Sequence, residues 1–194
     1  MIPAIYINCC HRVDRRFLIE KELTSYDIPF QRFDAIYDPE HGLGCNKSHL
    51  GALKLARDKQ YPQVLILEDD FTFLISKQEF QDFLTKLATV NYDVCLLSFN
   101  IQQSDPIDDT FQKITESTTA SGYIVNSHYY NTIIDAFQYA ADQFELTNEF
   151  WIYVTDVYWK KLQIIHNWIG PVNRIGKQRP GYSDLMGKYV DYEL

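Results

Sequence analysis

The sequence predicts an α/β domain with a mostly parallel central sheet flanked by helices. Short runs of branched apolar residues, typical of buried strands, alternate along the chain with longer amphipathic patterns typical of helices. The opening residues predict a strand over 4–8, a helix over 14–26 and a strand over 30–36. This βαβ order implies a right-handed crossover and parallel strands. Ligands of such sheets bind at the carboxyl ends of the strands.

The first helix is predicted from Asp14, a suitable N-cap, and from Ile19, Leu23 and Tyr26 at positions i, i+4 and i+7. A loop over 38–44, with glycines at 42 and 44, precedes a second helix that begins near Cys45. These glycines permit a close approach of the backbone to a ligand, and the helix start offers free N–H groups to anions.

The rest of the chain continues the alternation of strands and helices. The predicted elements are a buried strand over 63–68, an amphipathic helix over 80–87, a strand over 93–99, a polar surface excursion over 101–116, a strand over 121–126, a helix capped by Ser127, a strand over 151–156, a helix over 157–162, a strand over 164–169 and a tail from Gly170 without regular structure.

Length and composition indicate one globular domain over 1–194. The 194 residues allow one substantial core and are short for two domains, and no linker or repeat divides them. Hydrophobic residues at 46% and charged residues at 23% are ordinary for a globular protein. The net charge of −8 argues against a broad nucleic-acid-binding surface, which requires a basic face.

The sequence predicts a cytoplasmic protein. Charges begin by His11, directly after a short strand-like run, so no signal peptide is expected, and no run is long enough for a membrane span. The four cysteines show neither a C-x-x-C pair nor zinc-site spacing. Reduced thiols are therefore expected.

Three consecutive carboxylates, Glu68, Asp69 and Asp70, follow the buried run over 64–67. Repulsion and desolvation both disfavour such a cluster at the end of a buried strand, and a bound cation removes that penalty. Oxygen ligands suit a hard ion such as Mg²⁺ or Mn²⁺. Because side chains alternate along a strand, Glu68 and Asp70 should point to one side. The alternative is a solvated acidic turn that closes the strand.

Other polar residues should lie near the same edge of the sheet. Asn8 ends the first strand, and Arg15 and Arg16 lie in the first turn of the first helix, where a cation gains nothing from the helix dipole. These arginines are either solvated charges or ligands of a phosphate group. His49 is either part of a ligand site or a hydrogen-bonded packing residue.

With these elements assigned, the chain resembles glycosyltransferase family 25, which includes bacterial lipooligosaccharide galactosyltransferases and collagen hydroxylysine galactosyltransferases. The matching segments occur in the family's order. They are Ile5-Tyr6-Ile7-Asn8 with Arg12 and Asp14-Arg15-Arg16, Arg32-Phe33-Asp34-Ala35, Gly44-Cys45-Asn46-Lys47-Ser48-His49-Leu50, Leu67-Glu68-Asp69-Asp70, Gly122-Tyr123-Ile124-Val125, Asp156, Gln178 and Ser183-Asp184. The chain departs from the family pattern at Cys9-Cys10, where the family more usually has Leu-Asp.

The resemblance implies a GT-A-like, Rossmann-like fold and an inverting, metal-dependent transfer of a hexose, galactose or glucose, from a UDP-sugar. It implies that residues 1–100 bind the nucleotide sugar and that 101–194 form the acceptor side. The acceptor hydroxyl would belong to a glycan, a lipid-linked sugar or a protein side chain. Lipopolysaccharide biosynthesis is one such setting, and the enzyme could then be peripheral to the membrane that carries its acceptor.

The resemblance also implies roles for individual residues. Asp70 and Glu68 would bind Mn²⁺ or Mg²⁺, and Asp156 would be the base that accepts the acceptor's proton, with Asp184 as the second candidate. The residues implied in donor binding are Asn8, Arg12, Arg15, Ser48, His49, Glu68 and Asp69. Asp156 could instead be a simple first-turn carboxylate, whose pKa the helix start would lower.

Two other functions use similar residues. A metal-dependent phosphoesterase or nucleotidyltransferase also requires clustered carboxylates, although it would favour more scattered ligands for two metals. A catalytically inactive nucleotide-sugar-binding relative would keep the fold, but the intact acidic cluster argues against this alternative.

Overall fold

The computed structural model describes residues 2–184 and 186–192 of the chain and, at residue 41, the backbone alone. In chain order the elements are β1 (Ala4–Asn8), α1 (Val13–Ser25), β2 (Phe30–Asp34), α2 (His41–Asp58), β3 (Gln63–Glu68), β4 (Phe71–Phe73), α3 (Lys77–Leu87), β5 (Val94–Leu96), β6 (Asn100–Pro106), β7 (Phe111–Thr118), β8 (Gly122–Asn126), a 3₁₀ turn (Ser127–Tyr129), α4 (Tyr130–Thr147), α5 (Phe150–Tyr153), α6 (Thr155–Tyr158), α7 (Lys160–Ile165), β9 (Trp168–Pro171), β10 (Gly176–Gln178), β11 (Gly181–Ser183) and β12 (Lys188–Val190).

Eight strands form one central sheet in the order β2-β1-β3-β8-β5-β9-β7-β6. Strands β7 and β8 run opposite to the other six, so the sheet is mostly parallel in strand direction. β1 pairs in parallel with both β2 and β3, which is the arrangement that the opening βαβ pattern predicts. The predicted fold class, a mostly parallel sheet flanked by helices, is confirmed.

Apolar side chains cover both faces of the sheet, and strand β3 contributes to each of them. Its four central residues, Val64 to Leu67, have no exposed surface, as the sequence predicts. Val64 and Ile66 pack with residues of α2 and α4. Leu65 and Leu67 pack on the opposite face with residues of α1 and α3. This burial fixes the end of β3, and hence the acidic residues that follow it.

The second helix begins earlier than the sequence predicts. Gly42 and Gly44 lie in the first turn of α2 and not in a loop. A Cβ at Gly42 would lie 2.6 Å from the ring of Phe150, and one at Gly44 would lie 2.8 Å from the carbonyl oxygen of Ile36. Close packing, and not loop conformation, therefore explains these glycines. The N-cap of α1 also differs, because Arg12 and not Asp14 occupies it.

The predicted strand over 151–156 is wrong, because this segment forms the short helices α5 and α6. Its aromatic and β-branched residues favour a strand locally. A distant side chain changes the outcome: Asn46 in α2 donates to the carbonyl of Tyr153 and accepts hydrogen bonds from the backbone and hydroxyl of Thr155.

Three other predictions were wrong in detail. The polar segment over 101–116 forms most of the β6 and β7 pair at the edge of the sheet, where solvent-facing side chains make a strand polar. The strand predicted over 164–169 begins at Trp168, after the end of α7. The tail after Gly170 contains β10, which pairs with β4, and the β11 and β12 pair.

Ser127 opens a 3₁₀ turn before α4 and provides no side-chain cap. None of the helices among the described residues combines the length and the apolar character that crossing a membrane requires.

Candidate active site

The structure brings the predicted polar residues together at the carboxyl ends of β1 and β3. Asn8 is the last residue of β1, Glu68 is the last of β3, and Asp69 and Asp70 follow at once. The Asn8 amide donates to Asp69 Oδ2 over 2.7 Å, although 61 residues separate the two in sequence. Arg32, on the neighbouring strand β2, donates to Asn8 Oδ1 and so orients this amide.

The three carboxylates share few cationic partners. One nitrogen of Arg15, Nη1, donates to both Asp69 and Asp70 at 3.0 Å. Glu68 contacts an imidazole nitrogen, His49 Nε2, and an amide nitrogen, Gln178 Nε2, each at 3.2 Å. Asp70 Oδ1 is buried and has no hydrogen-bond partner among the described residues. A buried carboxylate oxygen without a partner is costly, and this one lies in the acidic cluster.

Burial, together with the charges of Glu68 and Asp69, raises the pKa of Asp70 to about 7, against the opposing effects of Arg15 and Gln178. Burial also raises the pKa of Asp69, which the hydrogen bond from Asn8 and the charge of Arg15 oppose. The guanidinium therefore does not fully compensate the cluster. The carboxylate oxygens, and the unpartnered Asp70 Oδ1 in particular, suit a hard divalent cation such as Mn²⁺ or Mg²⁺.

Arg12 and Arg15 also connect the cluster to the C-terminal strands. Both donate to the carbonyl oxygen of Tyr182 in β11, at 3.1 and 2.7 Å respectively. Arg12 additionally forms a 2.8 Å ion pair with Asp184, the second candidate for the base. This pair engages the carboxylate of Asp184 with Arg12 and holds it beside β11.

His49 is both a packed residue and a neighbour of the acidic cluster. Only 1% of its surface is exposed, and its ring nitrogens contact the hydroxyl of Tyr123 at 2.9 Å and Glu68 at 3.2 Å. One helical turn earlier, burial raises the pKa of the Cys45 thiol well above its usual range, with Glu68 and Asp156 adding to the effect. His49 can therefore be a buried packing residue and at the same time a neighbour of the acidic cluster.

Asp156 lies in the first turn of α6, close enough to the cluster for Glu68 to affect its pKa. Burial raises the pKa of Asp156, and the hydrogen bond from the Thr119 amide, 3.0 Å long, opposes this shift. The effect of burial on the pKa of Asp156 therefore outweighs the lowering that a position at a helix start would cause. Thr119 has φ of +83°, an unusual conformation for a β-branched residue. This conformation occurs where its amide contacts Asp156.

Ser48 has a different environment from the other predicted residues. Its hydroxyl donates to the carbonyl of Gly44 at 2.7 Å and accepts from the amide of Ile36 at 2.8 Å. These bonds fix the segment after β2 against α2. Its implied contact with a donor remains a prediction.

Sequence reasoning gave no role to several residues that support the site. They are Arg32, Cys45, Asn46, Tyr123 and Gln178. Arg32, Tyr123 and Gln178 form hydrogen bonds with predicted site residues, and Cys45 has its sulfur within 4.8 Å of ligand atoms of His49 and Glu68. Asn46 instead orients the segment preceding Asp156. All five lie within the segments on which the expected family resemblance rests, and this was their only signal in the sequence.

No protein-family model and no curated protein sequence matches this chain. Solved structures do match it. A glycosyltransferase involved in the glycosylation of the major capsid of PBCV-1 is 13% identical, with a TM-score of 0.58 over 87% of this chain and 80% of its own. A mannose-1-phosphate geranyltransferase from Thermus thermophilus is 7% identical, with a TM-score of 0.52 over 97% of this chain and 74% of its own.

The glycosyltransferase GlyE of Streptococcus pneumoniae is 10% identical, with a TM-score of 0.51 over 86% of this chain and 44% of its own. At these identities the likeness shows the fold alone. The chain therefore has the α/β fold of GT-A-like glycosyltransferases, with an acidic cluster at the carboxyl end of a central strand.

Proposed function

We propose that this chain is a metal-dependent, inverting glycosyltransferase that resembles family 25. It would transfer a hexose, galactose or glucose, from a UDP-sugar to an acceptor hydroxyl of a glycan. The observation that carries this proposal is the buried Asp70 Oδ1, which has no partner among the described residues and lies among three carboxylates in a GT-A-like fold. We further propose a cytoplasmic location, peripheral to a membrane if the acceptor is lipid-linked.

Asp70 and Glu68 are the residues that would hold Mn²⁺ or Mg²⁺. Such ions commonly take one or two protein carboxylates and complete their coordination with substrate phosphates and water. When bound, the ion would act as a Lewis acid on the diphosphate leaving group. Gln178 supports this role of Glu68, because its amide donates to one carboxylate oxygen and restricts the rotation of the side chain.

The donor would lie across the carboxyl ends of β1 and β3. Arg15 supplies a guanidinium at this edge, and such a group can donate two parallel hydrogen bonds to a phosphate. Asn8 holds Asp69 in place, and Arg12 tethers β11 beside it. Ser48 and His49 would act from α2, Ser48 by fixing the adjacent segment and His49 by orienting Glu68.

Asp156 is the better candidate for the base. A base that accepts a proton from a hydroxyl works best when its pKa lies near the working pH, and burial raises the pKa of Asp156 in that direction. Asp184 is held in an ion pair with Arg12 and is more suited to positioning that arginine. In the proposed step, the acceptor oxygen attacks the anomeric carbon, its proton passes to Asp156, and the bond to the diphosphate breaks.

The test is a panel of nucleotide sugars incubated with the full chain, with and without Mn²⁺. We expect one UDP-sugar to yield UDP and free or transferred hexose, only with metal, and Asp70→Asn to lose at least about 100-fold in rate. Asp109→Asn, an exposed carboxylate in the turn between β6 and β7, is the matched control and should retain full activity.

The products also separate the alternative functions. Release of nucleoside monophosphate or pyrophosphate would indicate a phosphoesterase or nucleotidyltransferase and would refute the proposal. Metal-independent binding of a nucleotide sugar without turnover under any acceptor condition would indicate an inactive relative. Binding of no nucleotide sugar by the folded chain would refute every nucleotide-sugar function.

A further inference from the structure

Cys45, His49 and Glu68 place three different metal-ligating groups around one point. Cys45 and His49 are four residues apart on α2, so both side chains project from the same face of the helix. Glu68 reaches this face from the end of β3. One ligand atom from each residue, a sulfur, a ring nitrogen and a carboxylate oxygen, lies within 4.8 Å of the other two.

One of these separations already matches the distance between two ligands of a tetrahedral ion. With bonds of about 2.0 Å to nitrogen and oxygen and about 2.3 Å to sulfur, tetrahedral ligand atoms lie about 3.3 to 3.6 Å apart. His49 Nε2 and Glu68 Oε1 are already 3.2 Å apart. The Cys45 sulfur lies within 4.8 Å of both atoms, so its approach to bonding distance would complete three corners of a tetrahedron.

Neighbouring residues orient two of the ligands. The Tyr123 hydroxyl lies 2.9 Å from His49 Nδ1, so that nitrogen can carry the proton and donate a hydrogen bond to Tyr123 while Nε2 faces Glu68. Gln178 donates to the second oxygen of Glu68. Hydrogen bonds of this kind hold metal ligands in position in protein sites.

We propose that Cys45, His49 and Glu68 form a binding site for a thiophilic divalent ion of the zinc class. A thiolate and an imidazole favour Zn²⁺ or Co²⁺ over Mg²⁺ and Mn²⁺, which prefer oxygen ligands. Three protein ligands leave a fourth position open for water. The spacing of the four cysteines in the sequence does not indicate this site, because only one of them, Cys45, belongs to it.

The site shares Glu68 with the metal centre of the proposed function. An ion held by Cys45 and His49 would draw Glu68 away from Asp70. Zinc-class ions are therefore expected to inhibit the transferase at a fixed Mn²⁺ concentration, an expectation that rests on the proposed function. Binding of the ion does not depend on that function, so the two can be tested separately.

The test is a Co²⁺ titration of the metal-free full chain without a histidine tag. Thiolate ligation produces a charge-transfer band in the near ultraviolet. We expect this band to saturate at one Co²⁺ per chain, to disappear when Zn²⁺ is added and to be absent in Cys45→Ser. Tyr123→Phe should keep the band but weaken affinity roughly tenfold, since it removes only the partner of His49.

Cys10→Ser is the matched control, because Cys10 is exposed and contributes no ligand to this cluster. It should leave the titration unchanged. Circular dichroism establishes that each variant is folded, and His49→Gln provides a second ligand variant if Cys45→Ser unfolds. Co²⁺ binding without the band, or a band that survives both ligand variants, would overturn the site. A normal titration in a chain without transferase activity would refute the proposed function alone.

Discussion

The guanidinium of Arg15 lies 3.0 Å from a carboxylate oxygen of Asp70, so the first turn of α1 supplies the cation nearest to the acidic end of β3. The same nitrogen also pairs with Asp69. One positive charge thus faces two carboxylates directly, with Glu68 close enough to raise the pKa of Asp70. The arrangement is short of positive charge, which a divalent ion would supply.

The first prediction concerns the removal of this cation. Arg15→Gln should lower the free energy of unfolding by about 2 to 3 kcal/mol, because it leaves two largely buried carboxylates without their shared partner. Mn²⁺ should then raise the melting temperature of the variant more than that of the natural chain, because the ion replaces the lost charge. Thermal unfolding with and without Mn²⁺ measures both effects.

Arg16→Gln is the matched control, since Arg16 is the next residue of α1 and its pair with Glu20 is solvent-exposed. It should produce no resolvable change in melting temperature. Equal losses in the two variants, or identical shifts with Mn²⁺, would contradict the charge deficit.

The second prediction concerns pH and Asp156. Because burial raises its pKa, Asp156 keeps its proton in the folded chain at pH values where the unfolded chain has lost it. The associated stability is complete below the unfolded pKa of about 3.9 and is lost as the pH rises through the folded value. Asp156→Asn should therefore melt a few degrees above the natural chain at pH 8, with the difference vanishing near pH 4.

The same variant tests the role of Asp156 as a base. Its transfer rate should fall roughly 100-fold or more, while the acid limb of the natural rate profile should lie above the value for a solvated aspartate. Asp142→Asn, on the exposed face of α4, should change neither the rate nor the pH dependence of melting. A variant that melts lower than the natural chain by the same amount at every pH would refute the raised pKa.

The third prediction concerns Asn46, whose side chain fixes the segment before Asp156. Asn46→Ala removes the acceptor for Thr155 and the donor for Tyr153, so unfolding free energy should fall by about 2 to 3 kcal/mol. The transfer rate constant should fall more than substrate affinity, because the variant displaces the proposed base and leaves the proposed donor-binding residues in place. Asn131→Ala, at an exposed position of α4, should affect neither.

Asn46 also shows where prediction from sequence ends. The buried strand β3 and the helix α3 follow from local periodicity, and their apolar faces lie where the pattern indicates. The segment over 151–156 has strand-like composition but is helical, because its hydrogen bonds go to a side chain more than 100 residues away. Local patterns contain no information about such a partner.

The candidate site likewise has features that the sequence predicts and features that it does not. The position of Glu68, Asp69 and Asp70 at a strand end follows from the sequence, and so does their proximity to Asn8. Which carboxylate oxygen is left without a partner does not follow, because it depends on the reach of Arg15 and Gln178 from other elements. The ion pair between Arg12 and Asp184 connects positions 172 residues apart, so local sequence patterns do not predict it either.

The last prediction concerns Phe71, which follows Asp70 directly and is fully buried. A Cβ at Gly176 would lie 2.2 Å from its ring, and a Cβ at Gly122 would lie 2.4 Å from it. The ring therefore fills a space that exists only because both neighbours are glycines. Gly176→Ala must displace the ring or β10, and both movements disturb the end of β3, since Phe71 pairs with Gln178.

Gly176→Ala should lower the free energy of unfolding by about 1 to 3 kcal/mol through this overpacking. Combining it with Phe71→Leu, which removes the clashing ring atoms, should cost less than the sum of the single variants by at least about 0.5 kcal/mol. Gly181→Ala is the control, because a Cβ there meets only Arg15 Nη2 at an ordinary 3.7 Å. Denaturant unfolding of the three single variants and the double variant decides the matter: additive losses would mean that the ring of Phe71 does not determine how closely β10 approaches the acidic cluster.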